Sequence, residues 1–169
     1  MRDAVNKAAR IVINHCIQNN IGTIVFGWNT GQKNGANMGK VGNQRFVQIP
    51  TGKLKDRIAQ LCEQYGIQFV ETEESYTSQS SFLDNDELPT FGEKSEGWQS
   101  SGKRTARRFR TANGQFVNAD CNGAANIIKK VAAKLGLVLS QVSRVLLNAP
   151  VKIRLWHGAS KRPLQGGSR

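Results

Sequence analysis

The chain has 169 residues, and its 24 lysines and arginines outnumber its 12 aspartates and glutamates. Its length suits one domain with a usable core, and no apolar run approaches the roughly 18 residues that a membrane-spanning helix needs. The formal net charge of +12 favours a polyanionic partner, because each phosphate that is neutralised releases a counterion. We therefore expect a nucleic-acid partner, and neither a membrane nor a small-molecule substrate.

Helical and strand patterns alternate along the chain. The predicted elements, in chain order, are a helix over 4–19, a strand over 22–27, an extended segment over 46–49, a helix over 51–65, a strand over 67–72, a strand over 115–118, a helix over 120–134 and a strand over 151–155. A long loop joins the strand over 67–72 to the strand over 115–118. This alternation predicts an α/β fold.

The long loop contains the densest positive charge of the chain. Its polar composition predicts a flexible basic insertion over residues 84–114. Five cations lie within eight residues of it, namely Lys103, Arg104, Arg107, Arg108 and Arg110. Such a run is often only a solvated loop, but the interleaved Phe109 and the arginine bias favour contact with nucleic-acid phosphates. Residues 157–169 are predicted to be a basic disordered tail.

A Gly- and Asn-rich turn follows the strand over 22–27 and contains Lys33. Lys33 can reach a phosphate, although the turn lacks the spacing of a phosphate-binding P-loop. The alternative interpretation is a plain surface turn.

Asp120 lies at a junction between a predicted strand and a predicted helix. The simplest explanation of such an aspartate is a helix cap that accepts backbone N–H groups of the first turn. Asn122 and Asn126 stand four residues apart and share one face of the same helix. An aspartate held at the end of a strand can also bind a hard divalent cation, provided that a second carboxylate comes from elsewhere.

Three glutamates within four positions, Glu71, Glu73 and Glu74, lie at the carboxyl end of the strand over 67–72. Open α/β sheets bind their ligands at this end of their strands. The alternative is a solvated acidic loop. Repulsion among the three carboxylates would be relieved by a bound metal ion or by a nearby arginine.

The three cysteines, Cys16, Cys62 and Cys121, are far apart in the sequence, and a tetrahedral zinc site needs four ligands. We therefore expect no zinc, but buried free thiols in a reducing, cytoplasmic compartment.

Two motifs in this order, ESYTS at residues 74–78 and NADCNGA at 118–124, resemble the C-terminal half of TnpB-type, transposon-associated, RNA-guided DNA endonucleases, which are relatives of the type V CRISPR effectors. The sequence FVQIP at 46–50, before a helix, adds to the resemblance, which covers about residues 6–153. It implies a partial RuvC-like fold, that is, an RNase H type mixed sheet flanked by helices. It also implies action on DNA, a guide RNA, a nucleoid-associated location and Mg²⁺ held by an Asp, a Glu and an Asp.

By this resemblance, Asp120 matches the last aspartate of the triad. The family glutamate usually closes the strand that matches residues 22–27, where this chain has Gly27. Some members carry the glutamate just before Tyr-Thr-Ser instead, which assigns the catalytic and metal-binding role to Glu74, with Glu73 as the alternative. The first aspartate would lie upstream of residue 1. Residues 1–156 are therefore interpreted as a truncated RuvC-like nuclease domain.

Many TnpB-like proteins carry two Cys-x-x-Cys pairs between Tyr-Thr-Ser and the last aspartate, but residues 80–120 of this chain contain no cysteine. Three functional interpretations stay open: an endonuclease part that is inactive alone and binds Mg²⁺ weakly, a non-catalytic nucleic-acid-binding remnant, and an aggregation-prone fragment. The first predicts that Glu74 and Asp120 end adjacent strands of one sheet, with carboxylates on the order of 4 to 8 Å apart, and that Glu73 points to the opposite face.

Overall fold

The computed structural model of the protein describes residues 2–29 and 50–150. The elements are α1 (Arg2–Gln18), β1 (Thr23–Gly27), α2 (Thr51–Tyr65), β2 (Gln68–Thr72), β3 (Lys103–Thr105), β4 (Arg108–Arg110), β5 (Phe116–Asn118), α3 (Ala119–Leu135) and a 3-10 turn (Leu146–Asn148). The predicted α/β fold is confirmed. The predictions for residues 46–49, 151–155 and 157–169 and for Lys33 lie outside the described residues. No helix in the described part of the chain is long and apolar enough to cross a membrane.

Helices α1 and α2 pack against a parallel pair of strands, β1 and β2, in which Val25 lies opposite Val70. Their shared core consists of apolar side chains and two thiols: Ala9, Ile13, Cys16, Ile58, Leu61, Cys62 and Ile67. Helix α2 ends at Gly66, whose φ of 68° is left-handed and favours glycine. The next amide, Ile67 N, donates to the Cys62 carbonyl at 2.9 Å, so the chain turns directly into β2.

Strands β3 and β4 lie within the segment that the sequence predicts to be a long loop, so that assignment is wrong at residues 103–110. Each of the two strands is only three residues long, which is too short to show a clear period-2 pattern among so many charges. The pattern is nevertheless present in β4, where Phe109 is fully buried between the exposed Arg108 and Arg110. The flexibility of residues 84–114 stays a prediction.

The described strands form two small sheets, the parallel pair β1–β2 and the antiparallel sheet β3–β4–β5. The strands that precede Glu74 and Asp120 therefore belong to different sheets, and the prediction that they are neighbours is wrong. Helix α3 contacts strands of both sheets and links them. The relative position of the two acidic residues is thus set by packing on α3 and not by strand pairing.

Candidate metal site and nucleic-acid interface

Asp120 lies in the first turn of α3, but it does not cap the helix. Asn118 is the cap: its Oδ1 accepts hydrogen bonds from the backbone N–H groups of Asp120 and Cys121, each at 3.0 Å. The capping explanation of Asp120 is therefore wrong. The Asp120 side chain is 79% exposed, and its Oδ1 accepts a hydrogen bond from Arg104 Nη2 at 3.1 Å. This exposure makes the Asp120 carboxylate accessible to a cation from solvent.

Glu74 follows β2 and lies where β1, the loop after β2 and α3 meet. Its backbone N–H donates to Asn29 Oδ1 at 3.0 Å, and its side chain is exposed. A Cβ added at Gly27 would lie 3.1 Å from Glu74 Cβ and 2.7 Å from Ile127 Cδ1. A side chain at the end of β1 would therefore require Ile127 and Glu74 to shift. The Cβ of Glu74 thus lies 3.1 Å from the position that the Cβ of a glutamate at residue 27 would occupy.

The other two glutamates of the acidic cluster are bound to lysines. Glu71 pairs with Lys55 at 2.7 Å. Glu73 pairs with Lys130 of α3, and its second oxygen accepts the Ser75 N–H at 3.0 Å. Lysines therefore neutralise two of the three carboxylates. Both carboxylate oxygens of Glu73 therefore have protein partners.

Lys130 is an unusually enclosed cation. Its side chain is 8% exposed, and its Nζ also donates to the Pro89 carbonyl at 3.1 Å. Burial lowers the pKa of Lys130, whereas the neighbouring Glu73 carboxylate favours its charged form. The pair ties α3 to the start of the loop that carries Glu74.

Helix geometry relates Asp120 to Glu74. Asp120 precedes Ile127 by seven residues, which places it about two turns, or about 10 Å, along nearly the same face of α3. Glu74 approaches that face beside Ile127. Two carboxylates offer the hard oxygen ligands that Mg²⁺ prefers, so their chemistry fits this ion. Within residues 2–29 and 50–150, however, no group of three or more potential metal ligands occurs.

Two fully buried amides, Asn122 and Asn126, hold the loop after Glu74 against α3. The Asn122 side chain accepts from Phe82 N at 3.0 Å and donates to Ser80 O at 2.8 Å. Asn126 Nδ2 donates to Thr77 O at 3.0 Å and to Ser80 O at 2.8 Å. The sequence predicts both amides on one helix face but not their role. The signal was their spacing of four residues.

Asp84 and Asp86 tie together the segment between the Tyr-Thr-Ser motif and Asp120. The Asp86 carboxylate accepts hydrogen bonds from Ser81 N at 2.7 Å, Ser100 Oγ at 2.8 Å and Ser101 N at 3.1 Å. Asp84 accepts from Ala112 N at 2.9 Å. Burial raises the pKa of Asp86, but these hydrogen bonds outweigh burial, and the net pKa lies below its ordinary value. Carboxylates thus crosslink three stretches of this segment.

Cys16 and Cys62 lie in the core of α1 and α2, whereas Cys121 packs against the cluster that contains Phe82 and Phe109. Cys16 and Cys62 are buried and Cys121 is half-buried, and all three are free thiols. Burial raises the pKa of each thiol, and Cys16 adds to the effect at Cys62.

The predicted cations divide between two faces of the β3–β4 hairpin. Lys103 lies directly opposite Arg110, and both are exposed on the outer face with Arg108. Like charges at opposite positions destabilise a strand pair. A bound polyanion would offset this repulsion, so this face suits a polyanionic partner. Arg104 lies on the other face and reaches Asp120, and Arg107 is exposed in the turn. The Arg108 guanidinium also lies 5.7 Å from the centroid of the neighbouring Phe116 ring.

Residues 52–127 match the family model described as "Cas12f1-like, TNB domain". This match supports a TnpB/Cas12-related family. The matched residues include Glu74, Asp120, both buried amides and the whole β3–β4 hairpin. No curated protein matches the chain.

Proposed function

We propose that this chain supplies the nucleic-acid-binding and two-carboxylate part of a TnpB-type, transposon-associated, RNA-guided DNA endonuclease. The observation that supports this proposal is the close approach of Glu74 and Ile127 to Gly27. Because Gly27 has no side chain, Glu74, from the loop after β2, can approach the end of β1 beside α3, the helix that carries Asp120 in its first turn. The family match over the same residues supports the proposal.

Glu74 and Asp120 hold Mg²⁺ in this proposal. The ion supplies electrostatic stabilisation of the charge that develops on phosphate oxygens during phosphodiester hydrolysis. Asn118 caps the helix in place of Asp120, and Arg104 balances the charge of the Asp120 carboxylate. Two carboxylates are too few to order a pair of metal ions, so we expect weak Mg²⁺ binding and no DNA cleavage by this chain alone.

Metal titration and a cleavage assay test this proposal. We expect Mn²⁺, titrated by electron paramagnetic resonance as a probe for Mg²⁺, to bind weakly to the wild-type chain and not to Glu74→Gln or Asp120→Asn. Glu93→Gln is the matched control, because Glu93 is also exposed but lies outside the site. Equal Mn²⁺ binding by all four proteins would contradict the assignment. Magnesium-dependent cutting that is lost in Asp120→Ala would contradict inactivity of the chain alone.

A second candidate function is nucleic-acid binding without metal chemistry. It is favoured by the Arg104–Asp120 ion pair, which gives Asp120 a role without a metal. Both candidates require affinity for random DNA or RNA that falls steeply with salt, and Arg108→Gln and Arg110→Gln should each reduce the salt slope by about one. Nucleic-acid affinity that does not change with salt concentration would contradict both candidates. Mn²⁺ binding at Glu74 and Asp120 would favour the first candidate over the second.

A further inference from the structure

The loop that carries Glu74 is attached to α3 on both sides of that residue. On its N-terminal side, the Glu73 carboxylate forms an ion pair with Lys130. On its C-terminal side, the Thr77 carbonyl accepts a hydrogen bond from Asn126 Nδ2 at 3.0 Å. Glu74 therefore lies between two attachments to one helix.

Hydrogen bonds within the loop restrict the backbone of Glu74 between these attachments. The Glu73 carboxylate accepts the Ser75 N–H at 3.0 Å. The Glu74 carbonyl accepts hydrogen bonds from Thr77 Oγ1 at 2.8 Å and from Thr77 N at 3.3 Å. The Glu74 N–H donates to Asn29 Oδ1 at 3.0 Å. A displacement of Glu73 would therefore displace the backbone from which the Glu74 side chain extends.

The ion pair of Glu73 with Lys130 is the charged attachment, and it is enclosed. The Lys130 side chain is 8% exposed, and its Nζ also donates to the Pro89 carbonyl at 3.1 Å. Desolvation opposes the attraction in such a pair, so its net contribution to stability is often small. Its effect on geometry is larger, because either charge would be costly to enclose without the other. The pair therefore holds Glu73 at one point along α3.

We propose that Lys130 is a positioning residue, which sets the place of the Glu74 carboxylate relative to Asp120 through its ion pair with Glu73. The inference rests on the proposed function, because it takes Glu74 and Asp120 as the ligands of Mg²⁺. Lys130 follows Asp120 by ten residues on the same helix, or about 15 Å along its axis. Helix α3 thus carries one candidate ligand directly and holds the other through Lys130.

The sign of the effect on metal binding distinguishes this role from two others. If Lys130 acted only as a nearby positive charge, its removal would strengthen the binding of a cation. If Glu73 were itself a metal ligand, removal of Lys130 would release its carboxylate and would also strengthen binding. The positioning role predicts the opposite, because the Glu74 carboxylate loses its fixed place.

The test is the dissociation constant of Mn²⁺, measured by electron paramagnetic resonance. The proteins are wild type, Lys130→Met, the double variant Glu73→Gln with Lys130→Met, and the control Lys134→Met. Lys134 is exposed one turn further along α3, so the control removes the same charge from the same helix. The double variant keeps the net charge of the wild type and leaves no enclosed charge unpaired, so it should fold even if Lys130→Met does not. Circular dichroism verifies folding.

Lys130→Met and the double variant should each weaken Mn²⁺ binding about tenfold, the lower end of the range for residues that orient a metal ligand. Lys134→Met should not weaken it. Unchanged or tighter Mn²⁺ binding by the double variant overturns the proposal, and so does a loss of equal size in Lys134→Met.

Hydrogen exchange without metal follows the loop itself. The amides of Glu74, Ser75 and Thr77 are hydrogen-bonded in the wild type and should exchange faster in both Lys130 variants but not in Lys134→Met. Faster exchange with unchanged Mn²⁺ binding would show that the pair holds the loop without positioning the site, which overturns the proposal.

The failure of this proposal is distinguishable from failure of the proposed function. If Glu74→Gln and Asp120→Asn abolish Mn²⁺ binding while the double variant binds as the wild type does, only the positioning role is wrong. If the wild-type chain binds no Mn²⁺, or if all of these variants bind it equally, the metal site of the proposed function and the positioning role are both wrong.

Discussion

The two regions of this protein that α3 links are held together by different forces. The region of α1, α2, β1 and β2 has a core of aliphatic side chains and thiols. The region of residues 75–126 has an apolar cluster around Phe82, Phe109 and Val117, but it also buries many polar groups: Ser75, Thr77, Ser80, Ser81, Asp86, Thr111, Asn122 and Asn126. Apolar contacts are non-directional and tolerate small shifts, whereas hydrogen bonds fix distance and angle. The directional interactions lie in the region that positions the candidate site.

The difference also predicts how each region fails. An apolar core loses stability in proportion to the side-chain volume removed. A buried polar network fails when one member is lost, because the groups left behind are desolvated without a partner. Asn126 Oδ1 and Ser75 Oγ already lack a hydrogen-bond partner among the described residues. The polar region therefore has little tolerance for further loss.

The largest effect is expected in the apolar region. Leu61→Ala should reduce the free energy of unfolding by about 2–5 kcal/mol, because Leu61 is 1% exposed and its removal leaves a cavity. Urea denaturation followed by circular dichroism measures the change. Leu146→Ala is the control: Leu146 is 61% exposed, and its removal should change stability by less than about 0.5 kcal/mol. Equal effects of the two variants would contradict the assigned core.

The next effect tests the polar region. Asn122→Ala should reduce the free energy of unfolding by about 1–3 kcal/mol, because Phe82 N–H loses its partner while the Ser80 carbonyl keeps Asn126. Unlike Leu61→Ala, it should also weaken Mn²⁺ binding at Glu74 under conditions where the protein is folded. A loss of stability with unchanged Mn²⁺ binding would show that the amide stabilises the fold without positioning the site.

Acid should destabilise the polar region through Asp86. The folded-state pKa of Asp86 lies below its ordinary value of 3.8, so its carboxylate stabilises the fold above that pH, and the contribution is lost as the pH falls through the lowered pKa. Urea midpoints measured from neutral to acidic pH test this. Asp86→Asn should be less stable than wild type at neutral pH, and the difference should narrow in acid. A constant difference across the range would exclude Asp86 as the titrating group.

The smallest effect on stability is expected on the hairpin, where it has the opposite sign. Arg110→Thr removes the like charge opposite Lys103 and should raise the free energy of unfolding by about 0.2–1 kcal/mol, while it weakens nucleic-acid binding. Thermal melting and fluorescence anisotropy measure the two changes. Arg144→Thr, on an exposed residue outside the hairpin, is the control and should affect neither. Loss of stability in Arg110→Thr would contradict the repulsion argument.

The sequence by itself determined the elements whose signals are local. The helix predicted over 51–65 is observed at Thr51–Tyr65, and the helix predicted over 120–134 at Ala119–Leu135. Their apolar faces repeat at the helical period, and left-handed glycines follow both, at Gly66 and Gly136. The order of the motifs around Glu74 and Asp120 was likewise enough to single out both residues as candidates.

Only the tertiary structure decided which partners these residues have. Arg104 and Asp120 are 16 positions apart, and Glu73 and Lys130 are 57 apart, yet each pair forms a salt bridge across elements. No local pattern distinguishes the cation that binds Asp120 from its four neighbours in the basic run. That choice depends on the register of β3 against β4 and on the packing of α3 between two sheets, which are properties of the folded chain as a whole.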